Sequence, residues 1–235
     1  MAFTHSPKIV TDGLYLCLDA SDKVSYPGSG TTWTDLSGNG HHGTLSEAAI
    51  GTVSSSLSEG VLAFEGDDEI VTIAHDTSFG YAADEDWTLC FWFMVTGTNS
   101  GFLVSKRDGS TKNWNVQHSA GDDQLHFAGG STGGGNFSCP TVAGDVPENV
   151  YLNWVGVHQG TADKVFVYIN GVLNNSVTKT GATTGNFHDS DLYIGKIINQ
   201  EYFIGRVGSF IGYTKALSAK EVLQNFNAHH SIYRV

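Results

Sequence analysis

The chain is a succession of short apolar or alternating runs, separated by clusters of Gly, Ser, Thr, Asn and Asp. Such runs, rich in β-branched and aromatic residues, are typical of β-strands, and helical spacing of apolar residues is nearly absent before the C-terminus. The pattern predicts about twelve strands, over residues 14–18, 61–64, 70–73, 87–95, 101–106, 113–118, 124–128, 151–158, 164–169, 172–177, 192–197 and 204–213. Two antiparallel sheets packed face to face would accommodate them.

Some of these runs carry more specific information. Residues 87–95 (WTLCFWFMV) are apolar at both alternating sets of positions, which predicts a central strand covered on both faces. Asn170-Gly171 stands between two β-rich runs, and both residues tolerate positive φ, so we predict a hairpin with a type I′ turn. Residues 113–118 and 124–128 alternate polar with apolar positions, which indicates one wetter face.

The C-terminal region has a different pattern. Ser218-Ala-Lys-Glu221 has the spacing of a capping box, and Val222, Leu223 and Phe226 follow at helical intervals, so we predict one short helix. Four segments rich in Gly, Ser or Thr are predicted to be loops, namely 28–32, 53–60, 129–138 and 180–185. None is long enough for an interdomain linker, so residues 1–235 are expected to form a single domain, with 1–11 as an N-terminal arm.

Charge and targeting signals narrow the range of partners. The 235 residues include 24 Asp and Glu against 12 Lys and Arg, a formal net charge of -12. This balance repels a phosphate backbone, so we expect no nucleic-acid partner. No apolar run approaches the roughly 20 residues needed to span a bilayer, and the first residues lack the layout of a signal peptide, so we expect neither membrane insertion nor Sec export.

The cysteines do not resemble a disulfide framework. Cys17, Cys90 and Cys139 are odd in number and widely spaced, and the first two stand inside apolar runs. We predict buried free thiols in a protein made in a reducing compartment.

Four stretches carry a family resemblance: residues 13–19 (GLYLCLD), 35–45 (DLSGNGHHGTL), 62–71 (LAFEGDDEIV), and an ending made of 203–208 with 213–222. Together they resemble the laminin-G-like jelly-roll family of concanavalin A-like sandwiches. The resemblance implies an all-β, two-sheet antiparallel jelly-roll sandwich with one short C-terminal helix. Members of the family include carbohydrate-binding modules, adhesion modules and domains on virion proteins of tailed bacteriophages.

Residues 25–40 and 221–228 are most similar to the phage-associated and environmental-bacterial branch of that family. This resemblance implies a non-enzymatic, lectin-like binding or decoration module, made in the host cytoplasm and displayed on the virion surface. Its partners would be glycans or neighbouring virion subunits, including further copies of itself, for example in a trimer. The alternatives are a purely structural assembly protein, and a bacterial protein that is cytoplasmic or exported by a non-Sec route.

Sugar rings stack on aromatic side chains, and amide and other polar side chains bind sugar hydroxyls. The candidate glycan contacts are Tyr26, Trp33, Trp114, Asn115, Gln117, His126 and Tyr202. For the aromatic residues of this set, packing in the core or within a loop is the competing interpretation. The three remaining tryptophans lie in apolar runs and are predicted to be core.

Asp19, Asp35 and Asn39 are candidate ligands of a structural Ca²⁺, because calcium prefers carboxylate, amide and carbonyl oxygens. The alternative for residues 35–43 is a hydrogen-bonded turn without an ion, in which Asp35 accepts from backbone N–H groups and glycines adopt positive φ. Zinc is disfavoured, because the side chains of the adjacent His41 and His42 point apart on an extended loop.

Glu65, Asp67 and Glu69 match the E-x-D-x-E spacing that glycosidases on this general sandwich place on one strand. A β-glucan hydrolase using these carboxylates is therefore an alternative function. Gly66 and the pair at 67–68 are poor strand formers and favour a turn, so we predict that the chain is not an enzyme.

Overall fold

The computed structural model describes residues 8–46, 60–80, 82–107, 113–181, 184–187, 189–196 and 201–233. Residues 1–7 of the predicted arm, 53–59 and 182–183 of the predicted loops, and Ile197 lie outside this description. The elements are β1 Leu14–Asp19, β2 Thr32–Trp33, β3 Gly43–Leu45, β4 Leu62–Glu65, β5 Val71–Ile73, β6 Trp87–Val95, β7 Gly101–Lys106, β8 Asn113–Ser119, β9 Gln124–Gly130, β10 Asn136–Pro140, β11 Leu152–Gln159, β12 Lys164–Ile169, β13 Val172–Thr178, β14 Leu192–Ile194, β15 Ile204–Tyr213 and α1 Ala219–Tyr233.

The strands form two sheets, in which every pair of neighbouring strands is antiparallel. Sheet A has the order β1-β15-β6-β11-β12-β13, with β4 also paired to β15. Sheet B has the order β10-β9-β8-β7-β14-β5-β3-β2. The main apolar core draws side chains from both sheets, which confirms the predicted two-sheet, jelly-roll-like sandwich.

Strand β6 occupies the centre of sheet A, between β15 and β11, as its sequence predicts. Phe91 and Phe93 enter the core between the sheets. The opposite face of the strand packs beneath α1, where the rings of Trp92 and Tyr233 stack with centroids 4.5 Å apart. Both faces of β6 are therefore buried, which accounts for the absence of polar alternation in this strand.

The helix begins with the predicted capping box. Ser218 Oγ accepts a hydrogen bond from the backbone N–H of Glu221 at 3.3 Å, and Glu221 Oε2 accepts one from the Ser218 N–H at 2.8 Å. At 15 residues the helix is longer than expected. None of the described helical segments is long and apolar enough to cross a membrane.

Residues 8–11 and α1 are linked by side chains on the outer side of sheet A. Asn225 is buried: its Oδ1 accepts from the Val10 N–H at 2.9 Å, and its Nδ2 donates to the Tyr213 hydroxyl at 3.0 Å. Gln224 Nε2 donates to the Lys8 carbonyl at 2.8 Å.

The hairpin joining β12 and β13 turns at Asn170 and Gly171, whose φ values are 50° and 78°. Positive φ at both central residues is the signature of a type I′ turn, so this prediction is confirmed.

The structure has three short strands that the sequence does not predict: β2, β3 and β10. The predicted loop at 129–138 is partly wrong, because β9 continues to Gly130 and β10 starts at Asn136. Glycine weakens a strand on its own. Here Gly129 leaves room for the ring of Phe137 on the paired strand, since a Cβ at residue 129 would lie 2.6 Å from that ring.

Cys17 and Cys90 are buried and free, as predicted, and Cys139 is also buried and free. Burial raises the pKa of the Cys17 and Cys90 thiols to about 12, so both stay protonated at neutral pH. The reducing compartment remains a prediction.

Candidate functional site

The loop at residues 35–43 is organised around Asp35. Its carboxylate accepts hydrogen bonds from the Cys17 N–H at 2.9 Å, the Ser37 N–H at 2.9 Å, the Ser37 hydroxyl at 2.7 Å and the His41 N–H at 3.0 Å. Burial raises the pKa of this carboxyl, but the bonds from Ser37, Cys17 and His41 outweigh that effect and leave it below its usual value. The loop is therefore a hydrogen-bonded turn fastened to β1 by an ionised carboxylate.

The two adjacent histidines of this loop have different partners. His42 Nδ1 accepts a hydrogen bond from the Asp35 N–H at 3.0 Å, whereas the His41 ring stacks on Tyr15 with centroids 4.0 Å apart. The two imidazoles do not converge on one point, in agreement with the expectation from their adjacency.

Tyr15 is the middle ring of a three-ring stack. Phe79 packs on its other side with centroids 4.7 Å apart and planes 9° apart. Burial raises the pKa of the Tyr15 phenol, as do the nearby Asp76 and Asp35 carboxylates, so it stays protonated. The stack holds His41 in a fixed position at the start of β1.

Beside this stack lies an open cleft of about 490 Å³ at one end of the sandwich, which we call the rim cleft. It is lined by Thr11, Gly13, Leu14, Tyr15, Asn39, His41, Asp76, Ser78 and Thr214. The residues before β1 and the residue after β15 meet here because β1 and β15 are antiparallel neighbours. The loop at 35–43 and the turn at 76–78 complete the lining. The lining offers hydroxyl, amide, imidazole and carboxylate groups.

Two polar side chains of the rim cleft are oriented by their own segments. Asp76 Oδ1 accepts from the N–H and the hydroxyl of Ser78, and these bonds hold the pKa of Asp76 below its usual value. Asn39 Nδ2 donates to the carbonyls of Leu14 at 3.1 Å and Tyr15 at 2.9 Å. Since its amide donors serve β1, the remaining hydrogen-bonding atom of Asn39 is the acceptor Oδ1.

A second polar group lies on the outer face of sheet B. Gln117 on β8 is paired with His126 on β9, and Gln117 Nε2 donates to Glu201 Oε2 at 3.3 Å. Asn115 lies two residues before Gln117 on the same face of the strand, but it is buried and its Nδ2 donates to Asn113 Oδ1 at 3.3 Å, so the predicted wetter face does not extend to it. Tyr202 follows Glu201 in the chain. We call these five residues the outer-face cluster; it unites four of the predicted glycan contacts.

The other three predicted glycan contacts belong to the core. Tyr26 is 1 % exposed, and Trp33 and Trp114 are fully buried. Trp114 donates its indole N–H to the Gly80 carbonyl at 2.9 Å. No ring face is left for a sugar, so their predicted contact role is corrected to packing. Trp33 lies on the inward side of β2.

The calcium candidates are engaged by protein groups. Asp19 Oδ1 accepts from the N–H and the hydroxyl of Ser21, and Asp19 Oδ2 lies 3.8 Å from His229 Nε2. Four donors already occupy the Asp35 carboxylate, and the amide of Asn39 is turned to β1. This geometry favours the hydrogen-bonded turn at residues 35–43, and calcium-dependent stability is the measurement that decides between the turn and a calcium site.

The acidic triplet forms a turn rather than a continuous strand. Strand β4 ends at Glu65, and Gly66 adopts a φ of 92°. Glu69 Oε2 accepts from the backbone N–H groups of Glu65 at 3.1 Å and Asp67 at 3.3 Å, and Glu65 pairs with Arg206 at 3.0 Å. The row of three carboxylates on one strand face, which the hydrolase alternative needs, is not formed.

Comparison with known protein families assigns the chain to a superfamily. Residues 65–223 match the family described as the concanavalin A-like lectin/glucanases superfamily. The chain belongs to this superfamily. A comparison with curated protein sequences finds no match.

Solved structures similar to the present chain include two toxins. The binding domain of Paraclostridial Mosquitocidal Protein 1 has a TM-score of 0.70 at 16 % identity, over 93 % of this chain and 53 % of that chain. Botulinum neurotoxin type C, described as interacting with two ganglioside molecules, has a TM-score of 0.66 at 18 % identity, over 93 % and 52 %. The present chain thus spans about half the length of each toxin chain.

Part of a sialidase chain is similar in fold. The Trypanosoma rangeli sialidase, in complex with the inhibitor DANA, has a TM-score of 0.67 at 14 % identity, over 97 % of this chain and 36 % of that chain. At these identities, the similarity of the three structures to the present chain shows the fold alone.

Among the residues of the rim cleft and the outer-face cluster that the sequence analysis did not propose as contacts are Tyr15, Asp76, Ser78 and Glu201. Tyr15 stands in an apolar strand and reads as core. The Asp-x-Ser spacing of Asp76 and Ser78 is a local turn signal that could have been found. That this turn meets the loop at 35–43 depends on strand order, which local patterns do not encode.

Proposed function

We propose that this chain is a non-catalytic glycan-binding module and that the rim cleft is its principal contact. The observation that carries the proposal is the cleft itself, about 490 Å³ in volume and lined by hydroxyl, amide, imidazole and carboxylate groups from four chain segments. A concave site with a few oriented polar groups fits a sugar with many hydroxyls. The three-ring stack and the four hydrogen bonds to Asp35, which we call the Asp35 hub, hold the lining in place before a ligand binds. Less conformational entropy is therefore lost on binding.

The comparisons support a carbohydrate ligand at the level of the superfamily, whose described members are lectins and glucanases. The turn at Glu65–Glu69 supports the non-catalytic part of the proposal, because it removes the only carboxylate row that the sequence offered for glycoside hydrolysis.

The outer-face cluster is a second candidate contact for the same function. Gln117, His126 and Tyr202 are half-buried, and Glu201 is exposed. Helix α1 packs over sheet A, which leaves these side chains uncovered by the helix. An extended glycan could contact this cluster through amide, imidazole and carboxylate groups without entering the rim cleft.

A glycan-array screen with matched variants distinguishes the two contacts. His41→Ala removes one wall of the rim cleft, and Gln117→Ala alters the outer-face cluster. Thr44→Ala, an exposed position on β3, serves as the control. We expect the starting protein, Gln117→Ala and Thr44→Ala to bind the same glycans, and His41→Ala to lose at least about tenfold in affinity. Absence of binding to any glycan would end the proposal.

We further propose that the module is displayed on a tailed-phage virion, where it meets glycans or neighbouring subunits. The support is the sequence resemblance of residues 25–40 and 221–228. Mass spectrometry of gradient-purified particles from an infected host should then find the chain in structural stoichiometry, and light scattering would give its oligomeric state. Recovery only in the particle-free fraction would contradict this placement. A particle-bound protein that fails every glycan screen would instead be a structural assembly component.

A further inference from the structure

The rim cleft has an uneven charge. Among the described residues that line it, none is Lys or Arg, whereas Asp76 contributes a carboxylate. Hydrogen bonds from Ser78 keep that carboxylate ionised. Asp76 is therefore the fixed charge within the cleft at neutral pH.

The lysines nearest to the cleft do not reverse this balance. Lys215 follows the lining residue Thr214 in the chain, and its ammonium donates to Asp12 at 2.6 Å and to Glu221 at 2.8 Å. Two carboxylates thus neutralise the single charge of Lys215.

Lys106 lies in a small cavity that shares Tyr15 and Asp76 with the rim cleft. It is 3 % exposed, and its Nζ lies 2.9 Å from His75 Nδ1. Burial lowers the pKa of Lys106 to about 8, although Asp191, Asp76 and Asp189 oppose that shift. The Lys106 ammonium is therefore buried, and the charges of three carboxylates act on it.

The cleft also offers free hydrogen-bond acceptors, whereas none of its described lining residues is a Lys or Arg donor. Asn39 offers Oδ1, and Asp76 offers the oxygen that Ser78 does not occupy. Such atoms accept hydrogen bonds from sugar hydroxyl or ammonium groups. A sugar carboxylate would face Asp76, no Lys or Arg among the described lining residues would pair with it, and like charges at this range repel.

From this charge distribution we infer that the rim cleft recognises amine-bearing glycans, made of amino-sugar units, in preference to carboxylate-bearing ones. The inference rests on the proposed glycan-binding function of the rim cleft and specifies its ligand class. Asp76 is the residue that confers the preference, by accepting a hydrogen bond from the ligand ammonium. Charge-assisted bonds of this kind are stronger than those between neutral groups.

The test is calorimetry on the full chain with three oligosaccharides: a glucosamine trimer, its fully N-acetylated form and sialyllactose. At about pH 6 and about 0.02 M NaCl, the glucosamine trimer should bind about tenfold tighter than the acetylated trimer. At about 0.5 M NaCl this advantage should shrink to about twofold, because salt screens the attraction. Sialyllactose should not bind measurably.

Two variants that change the net charge equally assign the effect. Asp76→Asn should bring the affinities for the two trimers within about twofold of each other and leave binding of the acetylated trimer intact. Asp122→Asn, at an exposed turn position between β8 and β9, should behave as the starting protein. An equal response to both variants would show a general charge effect and overturn the inference.

The remaining outcomes separate the inference from the function beneath it. Binding of sialyllactose as tight as that of the glucosamine trimer, and lost in His41→Ala, would overturn the amine preference while leaving the glycan-binding cleft in place. Failure of all three probes, together with an empty array, would overturn the proposed function. An amine preference that Asp76→Asn leaves unchanged would remove the role assigned to Asp76.

Discussion

Trp87 and His158 stack face to face in the core, with ring centroids 5.0 Å apart and planes 22° apart. His158 is fully buried, its Nδ1 lies 2.9 Å from the Glu85 carbonyl, and its Nε2 lies 3.4 Å from Lys179 Nζ. A neutral ring that donates from Nδ1 and accepts at Nε2 satisfies both neighbours. The indole therefore packs against an uncharged imidazole.

This arrangement predicts acid sensitivity. Burial, together with the Lys179 charge, lowers the pKa of His158 from 6.5 to about 3. A depressed histidine pKa contributes stability that is present above pH 6.5 and is lost as the pH falls toward 3. The free energy of unfolding should fall by about 2 kcal/mol from this residue between pH 7 and 4.5. Denaturant titrations at both pH values measure the loss.

The variant His158→Gln is the control. It should be less stable than the starting protein at pH 7 but should lose less stability on acidification, and equal losses would contradict the assignment to His158.

The Asp35 hub predicts a stability effect that is separate from ligand binding. Asp35→Ala removes the acceptor for four hydrogen bonds in a buried setting and should lower the free energy of unfolding by about 3 kcal/mol. Asp35→Asn retains one acceptor oxygen and should cost less. Urea denaturation of the two variants ranks them, and equal stability of all three proteins would show that the loop does not depend on the hub.

The filled oxygens of Asp35 also bear on calcium. We expect the melting temperature in excess calcium to match that in EDTA within about 1 °C, because protein donors already occupy the carboxylate. A calcium-dependent rise that Asp35→Asn abolishes would instead identify a calcium site at Asp19, Asp35 and Asn39.

The capping box predicts a modest local contribution. Ser218→Ala removes the hydroxyl that accepts from the Glu221 N–H and should lower the free energy of unfolding by about 1 kcal/mol. Lys220→Ala, an exposed position in the same turn, should change it by less than about 0.5 kcal/mol. Chemical denaturation compares the pair.

The burial of Trp114 predicts that its role is structural. Trp114→Phe shortens a fully buried ring and loses the bond to the Gly80 carbonyl, which should cost about 1–3 kcal/mol of stability. Glycan affinity per folded molecule should stay unchanged. A variant of normal stability with lost binding would return Trp114 to the contact surface.

The parts of this fold that the sequence predicts are local ones. The apolar run of β6, the Asn170-Gly171 turn and the Ser218 cap each carry their signal within a few residues. For Trp33 the sequence left packing and glycan contact as alternatives, because β2 has only two residues, too few to display alternation. The structure decides for packing.

The candidate site illustrates the same limit at longer range. Asn115, Gln117 and His126 were singled out because two neighbouring strands alternate visibly. The rim cleft was not found as a unit, although its residues Asn39 and His41 were singled out for metal chemistry. Its other wall comes from Asp76 and Ser78, and only the pairing of β1, β15, β3 and β5 brings these segments to one end of the sandwich.

Asn225 and Gln224 fasten residues 8–10 to the helix, and Thr11 next to them lines the rim cleft. The helix therefore holds in place the segment that forms one side of the proposed ligand site. Removing the helix, none of whose residues lines the cleft, would release that segment and weaken binding at the proposed site.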